Sequence, residues 1–140
     1  MSVKWETINL GDSIPELIKQ PDLTQLVKFA AGNGDFNPLH HDYKYIACEY
    51  LGSVLVQGHY RYAVLGEMVM NWLGHQQVAK VKNISCQHRG MDFPGAEIIC
   101  KGLVAKKYKD GDNKFVDLSI WTETSDGKQN SPGKATIQFA

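Results

Sequence analysis

Residues 29–42 contain the side chains of this chain that are best suited to chemistry. Asp35 and His40 lie five positions apart, and His41 and Asp42 follow directly. A carboxylate and an imidazole that face one water molecule form a general acid/base pair. The same spacing also fits a simpler interpretation, in which Asp35 caps a helix and His40 is a hydrogen-bonded residue beneath a loop. Taken in isolation, the spacing favours the simpler interpretation.

The backbone around this pair is predicted to be stiff. Pro38 has a fixed φ and no N–H, and it moves the preceding residue, Asn37, out of the helical conformation. A Gly-Asn-Gly sequence at residues 32–34 separates the loop from an amphipathic segment before it. We therefore expect Asn37 and Pro38 to shape a rigid turn from which Asp35 and His40 point at one spot. Asn37 supports the loop rather than reacting, because a neutral amide does not transfer protons at neutral pH.

A metal site is a weaker interpretation of the same loop. His40, His41 and Asp42 are adjacent, and no further ligand follows at the spacing that zinc motifs require. The three cysteines are odd in number and lack C-x-x-C spacing, so neither a disulfide framework nor a cysteine-rich zinc site is expected. We therefore predict no metal, and free thiols in a reducing cytosol.

The composition is typical of a water-soluble globular protein. The chain has 140 residues, of which 43% are hydrophobic and 21% charged, enough for one domain with one core. Lys+Arg and Asp+Glu are equal at 15 each, so the net charge favours neither a nucleic-acid nor an anionic membrane partner. The N-terminus has no apolar secretory segment, and no apolar run reaches membrane-spanning length. We therefore expect a cytoplasmic protein with no nucleic-acid and no membrane partner.

Two helices are predicted on either side of the loop. The first begins after Asp22, a good N-cap residue, and ends at Gly32 or Gly34, where a positive φ is tolerated. The second is short, spans residues 43–50, and is capped by Asp42. The loop is therefore expected to start from a fixed point.

The remaining elements predict an α+β fold. Residues 59–73 are apolar on almost every side and end at Gly74, which indicates a buried helix. Strands are predicted at residues 3–10, 54–56, 78–88, 96–108 and 115–123, and in a last segment in which Gly133, Ala135, Ile137 and Phe139 share one face. A turn is predicted at residues 110–113. One buried helix followed by antiparallel strands implies a sheet that wraps the helix.

Two segments resemble a known family. The sequence G-D-F-N-P-L-H at residues 34–40, followed by Asp42, resembles the hydratase motif of the MaoC-like acyl dehydratases and (R)-specific enoyl-CoA hydratases. The sequence Val56-Gln57-Gly58 is similar to the V-H-G that members commonly carry before the buried helix. The resemblance implies one hotdog domain over residues 1–140, with an antiparallel sheet wrapped around a long central helix.

The resemblance also implies a mechanism. Asp35 and His40 match the catalytic pair, and the Gly58 N–H matches the oxyanion donor. The pair activates water for addition at C3 of an enoyl thioester and delivers a proton at C2; the reverse reaction dehydrates an (R)-3-hydroxyacyl thioester. No metal or redox cofactor is implied, and CoA or phosphopantetheine enters as part of the acyl-CoA or acyl-carrier-protein substrate.

The chain departs from the family pattern around the expected substrate pocket. Gln57 replaces the usual histidine, and His59 follows Gly58. The segment that commonly reads F-x-x-P-V-x-x-G-D is replaced by H-R-G-M-D-F-P-G-A at residues 88–96. We assign Gln57, His59 and Arg61 to the pocket. Two interpretations of Arg61 are open: it lies on an exposed rim or dimer seam of the helix, as expected for Glu67, or it recognises a polar acyl group.

Two other functions remain open. The chain could be a non-catalytic acyl-thioester-binding subunit that pairs with another hotdog chain, which the altered Gln57 position favours. It could instead be a hotdog thioesterase, with Glu67 as the carboxylate on the central helix. Because a lone hotdog exposes a sheet edge, we expect a homodimer or a hetero-oligomer with another hotdog subunit.

Overall fold

A computed structural model of the chain describes residues 3–74 and 79–140. The helices and strands within those two ranges, in chain order, are β1 (Leu17–Lys19), α1 (Leu23–Asn33), α2 (Ile46–Leu51), α3 (Gly58–Leu73), β2 (Ala79–Cys86), β3 (Ile98–Asp110), β4 (Asn113–Glu123) and β5 (Gln129–Phe139). Single 3-10 turns lie at Trp5–Thr7 and Pro38–His40. None of the helices in these ranges is long and apolar enough to cross a membrane.

The five strands form one antiparallel sheet that curls around α3. The strand order is β1-β3-β4-β5-β2, so β1 and β2 are the two edges. The 16 residues of α3 give a rod about 24 Å long. Leu65, Met68 and Val69 of α3 are fully buried and belong to the same core as Leu118 and Ile137 of the sheet. The sheet therefore wraps the helix, as predicted.

The long strands follow the predicted alternation of side chains. Leu118 and Ile120 of β4 are buried, and Ala135, Ile137 and Phe139 of β5 lie on the buried face. The turn between β3 and β4 comes at the predicted place, and Gly111 there adopts a φ of +57°. The predicted strand at residues 78–88 overlaps β2, which ends earlier, at Cys86; residue 78 lies outside the described residues.

Helix α1 begins and ends where its capping residues predict. Asp22 accepts a hydrogen bond from the Gln25 N–H, and the Gln25 side chain accepts one from the Asp22 N–H, which together form a capping box. At the other end, Gly34 has a φ of +76° and donates its N–H to the Ala30 carbonyl. Leu26 and Ala30 are the buried residues of this helix. The loop that follows therefore starts from a fixed point.

The predicted strand at residues 3–10 is wrong. The segment forms a 3-10 turn at Trp5–Thr7, and the Trp5 indole N–H donates to the Phe115 carbonyl across 3.1 Å. The Thr7 hydroxyl also donates to the Lys4 carbonyl, which favours a local turn over an extended strand. The hydrogen bond from Trp5 to a distant strand and the local hydrogen bond from Thr7 therefore favour a turn over the predicted strand.

Two predictions around α2 also need correction. The helix is shorter than predicted: it covers Ile46–Leu51, and Asp42 is not its cap, because the Asp42 carboxylate accepts from the Lys44 N–H instead. Residues 54–56 are not a strand of the sheet. Their backbone hydrogen bonds go to residues outside the sheet: the Leu55 N–H donates to the Leu39 carbonyl and the Val56 N–H donates to the Asp92 carbonyl.

Candidate active site

Asp35 and His40 face each other across a short gap. The His40 Nε2 atom lies 3.5 Å from the Asp35 Oδ2 atom. The His40 side chain is 12% exposed and the Asp35 side chain 35% exposed, so the imidazole is sheltered and the carboxylate reaches solvent. Because 3.5 Å exceeds the usual hydrogen-bond length, one small polar molecule can contact both groups from the open side.

The second ring nitrogen of His40 fixes its orientation and tautomer. The Nδ1 atom lies 2.8 Å from the Leu55 carbonyl oxygen. A carbonyl oxygen only accepts hydrogen bonds, so Nδ1 carries a proton and donates it. In the neutral imidazole, Nε2 is then an unprotonated acceptor on the side of Asp35. This is the tautomer that a general base requires at that position.

Backbone-to-side-chain hydrogen bonds build the turn that carries the pair. The Asp35 N–H donates to Asn33 Oδ1 (3.0 Å), and the Leu39 N–H donates to Asn37 Oδ1 (3.0 Å). Asn37 has φ −59° and ψ 125°, the conformation expected for a residue before proline, and Pro38 opens the 3-10 turn. These contacts stiffen the backbone from Asn33 to His40.

The turn is attached to the N-terminus of α3 at two points. The Leu55 N–H donates to the Leu39 carbonyl, while the Leu55 carbonyl accepts from His40, so the residues just before α3 contact the turn twice. The Asn33 amide also lies 3.4 Å from the His59 Nδ1 atom. Asn33 therefore contacts both Asp35 and the first turn of α3. The pair and the helix N-terminus are held as one unit.

Gly58 is the first residue of α3, and its N–H is not used by the helix. The first N–H groups of a helix have no intrahelical acceptor and carry partial positive charge. A Cβ built on Gly58 would lie 2.8 Å from Cδ2 and 2.9 Å from Nε2 of the His88 ring. The ring therefore fills the space that any side chain at position 58 would need. Glycine at this position therefore lets the His88 imidazole pack against the first residue of α3.

His88 was not singled out by the sequence, although it lies in the segment that departs from the family pattern. Its Nδ1 atom lies 3.1 Å from the hydroxyl of the buried Ser131, one ring edge packs against Gly58, and the rest of the residue is exposed. Burial against neighbouring residues lowers the pKa of His88, and the Arg61 guanidinium and His59 lower it further. The ring is thus neutral at neutral pH.

The structure places two of the predicted pocket residues apart from each other. Gln57 is fully buried, and its Nε2 atom donates to the Leu26 carbonyl of α1 across 2.8 Å. His59 is exposed and contacts Asn33. Gln57 therefore joins two helices, and only His59 of the two lies on the side of the turn that carries Asp35 and His40.

Arg61 lies in the interior, and the interpretation that placed it on an exposed rim is wrong. Its side chain is 6% exposed and its Nη1 atom donates to Asp92 Oδ2 (3.1 Å) and to the Gly90 carbonyl (2.6 Å). Asp92, 3% exposed, also accepts from the Asn130 amide across 2.9 Å. The charge is tolerated inside because an opposite charge 31 residues along the chain compensates it. Glu67 does lie on the exposed side, where it pairs with Lys19 at 2.9 Å.

An open groove of about 460 Å³ adjoins the turn that carries Asp35 and His40. It lies between α1 and the start of α3, and its largest side chains are Phe29 and Tyr60, which meet edge to face with ring centroids 5.4 Å apart. Asn33 lines this groove and also donates toward His59. A mainly apolar ligand segment can therefore lie directly beside the site.

A family model described as a MaoC-like domain matches residues 4–122 of the chain. The chain belongs to the MaoC-like domain family. No curated protein sequence matches this MaoC-like chain.

Solved structures show the same fold at low identity. An (R)-hydratase from A. caviae involved in PHA biosynthesis is 21% identical, with a TM-score of 0.85, and the match covers 96% of this chain and 99% of that one. The R-hydratase PhaJ1 from Pseudomonas aeruginosa is 20% identical, with a TM-score of 0.86 and coverage of 99% and 86%. A chain of the ChsH1-ChsH2 complex from Mycobacterium tuberculosis is 19% identical, with a TM-score of 0.77 and coverage of 94% and 98%. The α+β hotdog fold expected from the sequence is therefore confirmed.

Proposed function

We propose that this MaoC-like protein is an (R)-specific enoyl-thioester hydratase, which in reverse dehydrates (R)-3-hydroxyacyl thioesters. The observation that carries the proposal is the gap of 3.5 Å between His40 Nε2 and Asp35 Oδ2, with the His40 tautomer fixed by the Leu55 carbonyl. A binding-only protein has no need of a sheltered base and a carboxylate that converge on one spot. Family membership and the (R)-hydratases of the same fold support the choice of reaction.

In the proposed hydration, a water molecule sits between Asp35 and His40. His40 Nε2 removes a proton from the water while its oxygen bonds to C3 of the enoyl thioester. The C2–C3 π electrons move toward the carbonyl, and the Gly58 N–H donates to the developing enolate oxygen. Protonated His40 then returns the proton to C2, so the net change is the addition of one water molecule. Asp35 accepts the second O–H of the water and orients it.

The thioester itself supplies the activation, because its carbonyl acidifies C2 and stabilises the enolate. The proposal therefore includes no metal and no redox cofactor, and CoA or phosphopantetheine takes part as the carrier of the acyl group. The groove beside Asn33 supports this approach, since an apolar segment fits against Phe29 and Tyr60. Three free thiols suit a reducing cytosolic compartment.

A panel of enoyl-CoA esters of increasing chain length and polarity tests the proposal. Loss of the conjugated enoyl-thioester absorbance, with an (R)-3-hydroxyacyl product on chiral analysis, is the expected result. An (S) product would refute the stereochemical part. No loss of absorbance with any CoA or carrier-protein ester would refute the hydratase proposal itself.

A non-catalytic subunit that pairs with a second hotdog chain is the alternative. Gln57 replaces the family's usual histidine, and the structures of similar fold include the ChsH1-ChsH2 and HadBC complexes. Under this alternative the purified chain binds acyl thioesters without hydrating them and gains activity only with a partner chain. Under the main proposal it forms a homodimer that is active alone, so light scattering and the hydration assay on one sample separate the two.

The thioesterase alternative has less support. Its candidate carboxylate, Glu67, is bound to Lys19 on the outer side of α3 rather than facing the gap between Asp35 and His40. Release of free CoA from a saturated acyl-CoA would favour it over hydration.

A further inference from the structure

The backbone around His88 continues the sheet beyond β2 and runs antiparallel to the start of β5. The Gln87 N–H donates to the Pro132 carbonyl (2.9 Å), and the Arg89 N–H donates to the Asn130 carbonyl (2.8 Å). His88 is therefore opposite Ser131, and its position is set by backbone hydrogen bonds on both sides. The Arg61 guanidinium holds the next turn of this segment through the Gly90 carbonyl.

The His88 ring is held at both ends. Its Nδ1 atom is 3.1 Å from the Ser131 hydroxyl, and its Cδ2–Nε2 edge lies against Gly58, within 3 Å of where a Cβ would be. Ser131 is fully buried, and in the described part of the chain its hydroxyl has His88 as its side-chain partner. Because a buried hydroxyl needs an acceptor for its own proton, we infer that Ser131 donates to Nδ1, which leaves the proton of the neutral ring on Nε2. The ring then presents an N–H donor on the edge beside Gly58.

The Nε2 atom remains available to a ligand. Among the described residues it contacts the Cys86 sulfur at 4.0 Å, which is long for a hydrogen bond to sulfur. His88 is exposed as a residue, and its Cδ2–Nε2 edge borders Gly58, so a molecule bound at the N-terminus of α3 lies beside the ring. Burial, the Arg61 cation and the neighbouring His59 lower the pKa of His88, which favours the uncharged form of the donor.

We propose that His88 is a catalytic residue whose Nε2–H donates a second hydrogen bond to the thioester carbonyl oxygen bound by the Gly58 N–H. This inference rests on the proposed hydration at the same site. Two donors fixed before the reaction stabilise the enolate oxygen without rearranging as negative charge develops there.

Kinetics of three variants test the role of His88. In His88→Phe, a flat ring still covers Gly58 but the donor is lost, and we expect kcat to fall by about a hundredfold with KM changed less, as for the loss of one oxyanion donor. In His88→Gln an N–H donor is retained, so we expect kcat to be at least about tenfold higher than in the Phe variant. Gln87→Ala changes an exposed neighbour on the same segment and serves as the control. A His88→Phe enzyme with the wild-type kcat would overturn the assignment.

A binding measurement separates this inference from the proposed function. Nitrogen-15 NMR of the histidine rings is recorded while butyryl-CoA, a saturated ester that cannot be hydrated, is added. We expect the Nε2–H signal that is missing from the His88 variants to shift, and an unchanged signal would overturn the inference. If the wild type hydrates no ester but this signal shifts, the proposed function fails and the donor assignment stands. If the wild type hydrates esters and the signal does not shift, the proposed function stands and the donor assignment of His88 fails.

Discussion

The buried pair of Arg61 and Asp92 gives a sharp prediction about stability. The two side chains are 6% and 3% exposed and meet at 3.1 Å, so either charge would be almost unsolvated without the other. Arg61→Met removes the cation and keeps most of the side-chain volume. The Asp92 carboxylate is then left in the interior with the Asn130 amide as its remaining side-chain donor. We expect the free energy of unfolding to fall by about 3–5 kcal/mol.

The double variant distinguishes a charge effect from a packing effect. Asp92→Leu alone leaves the guanidinium buried without its partner and is expected to cost about as much as Arg61→Met. Arg61→Met with Asp92→Leu buries no charge, so its loss should be clearly smaller than the sum of the single losses. With a change of about 2–4 °C per kcal/mol for a chain near this size, each single variant should melt on the order of 10 °C lower than the wild type.

Urea unfolding of the wild type, both single variants and the double variant measures the coupling directly. A coupling free energy of several kcal/mol is expected, because the pair is buried and in contact. Lys19→Met, which removes a half-exposed partner of Glu67 on the same helix, is the control and should cost about 1 kcal/mol or less. Additive losses, or single losses below about 1 kcal/mol, would refute the interpretation of a desolvated ion pair.

Three further predictions concern other parts of the molecule. Gly58→Ala forces the His88 ring away from α3 and costs about 1 kcal/mol through the hydrogen bond to Ser131. The melting temperature should therefore fall by only a few degrees while kcat falls at least tenfold, and an active Ala variant would contradict the role of this contact. The pKa of His88 is lower in the folded chain than in the unfolded chain, so the unfolded chain binds a proton on this ring at higher pH. The free energy of unfolding should therefore have its full value above about pH 6.5 and decrease as the pH falls below it. Urea midpoints between pH 5 and 8 should show a flatter decline in His88→Phe than in the wild type; equal slopes would be inconsistent with this cause. Asp22→Ala removes the capping box of α1 and should cost about 1 kcal/mol by urea unfolding, whereas an unchanged midpoint would mean that the cap contributes nothing.

Elements governed by local chemistry could be predicted from the sequence. Asp22 and Gly34 mark the ends of α1 because capping and a positive φ depend on residues within a few positions. The alternation of β4 and the glycine turn before it are equally local. The strand predicted at residues 3–10 was wrong for the opposite reason, because the Trp5 indole donates a hydrogen bond to a carbonyl 110 residues away.

In the candidate site, too, local features could be predicted from the sequence and features that depend on distant contacts could not. The turn at residues 33–40 could be predicted, since Asn37 and Pro38 act on adjacent backbone groups. The environment of Arg61 could not, because its charge is compensated by Asp92 only after the chain folds back. His88 was missed because its closeness to Gly58 comes from pairing with β5, which no local spacing records. The signal that could have found it is a histidine in place of an apolar residue in the segment that follows β2.

Hydration kinetics of Asp35→Asn and His40→Ala test the central claim most directly, with His41→Ala as the control on the adjacent residue. If His40 is the base and Asp35 orients the water, each of the first two variants should lose at least about a hundredfold in kcat, while His41→Ala stays close to the wild type. Circular dichroism on the same samples confirms that the variants are folded. Folded Asp35→Asn and His40→Ala enzymes that keep rates within a few fold of the wild type would contradict the assignment of this pair.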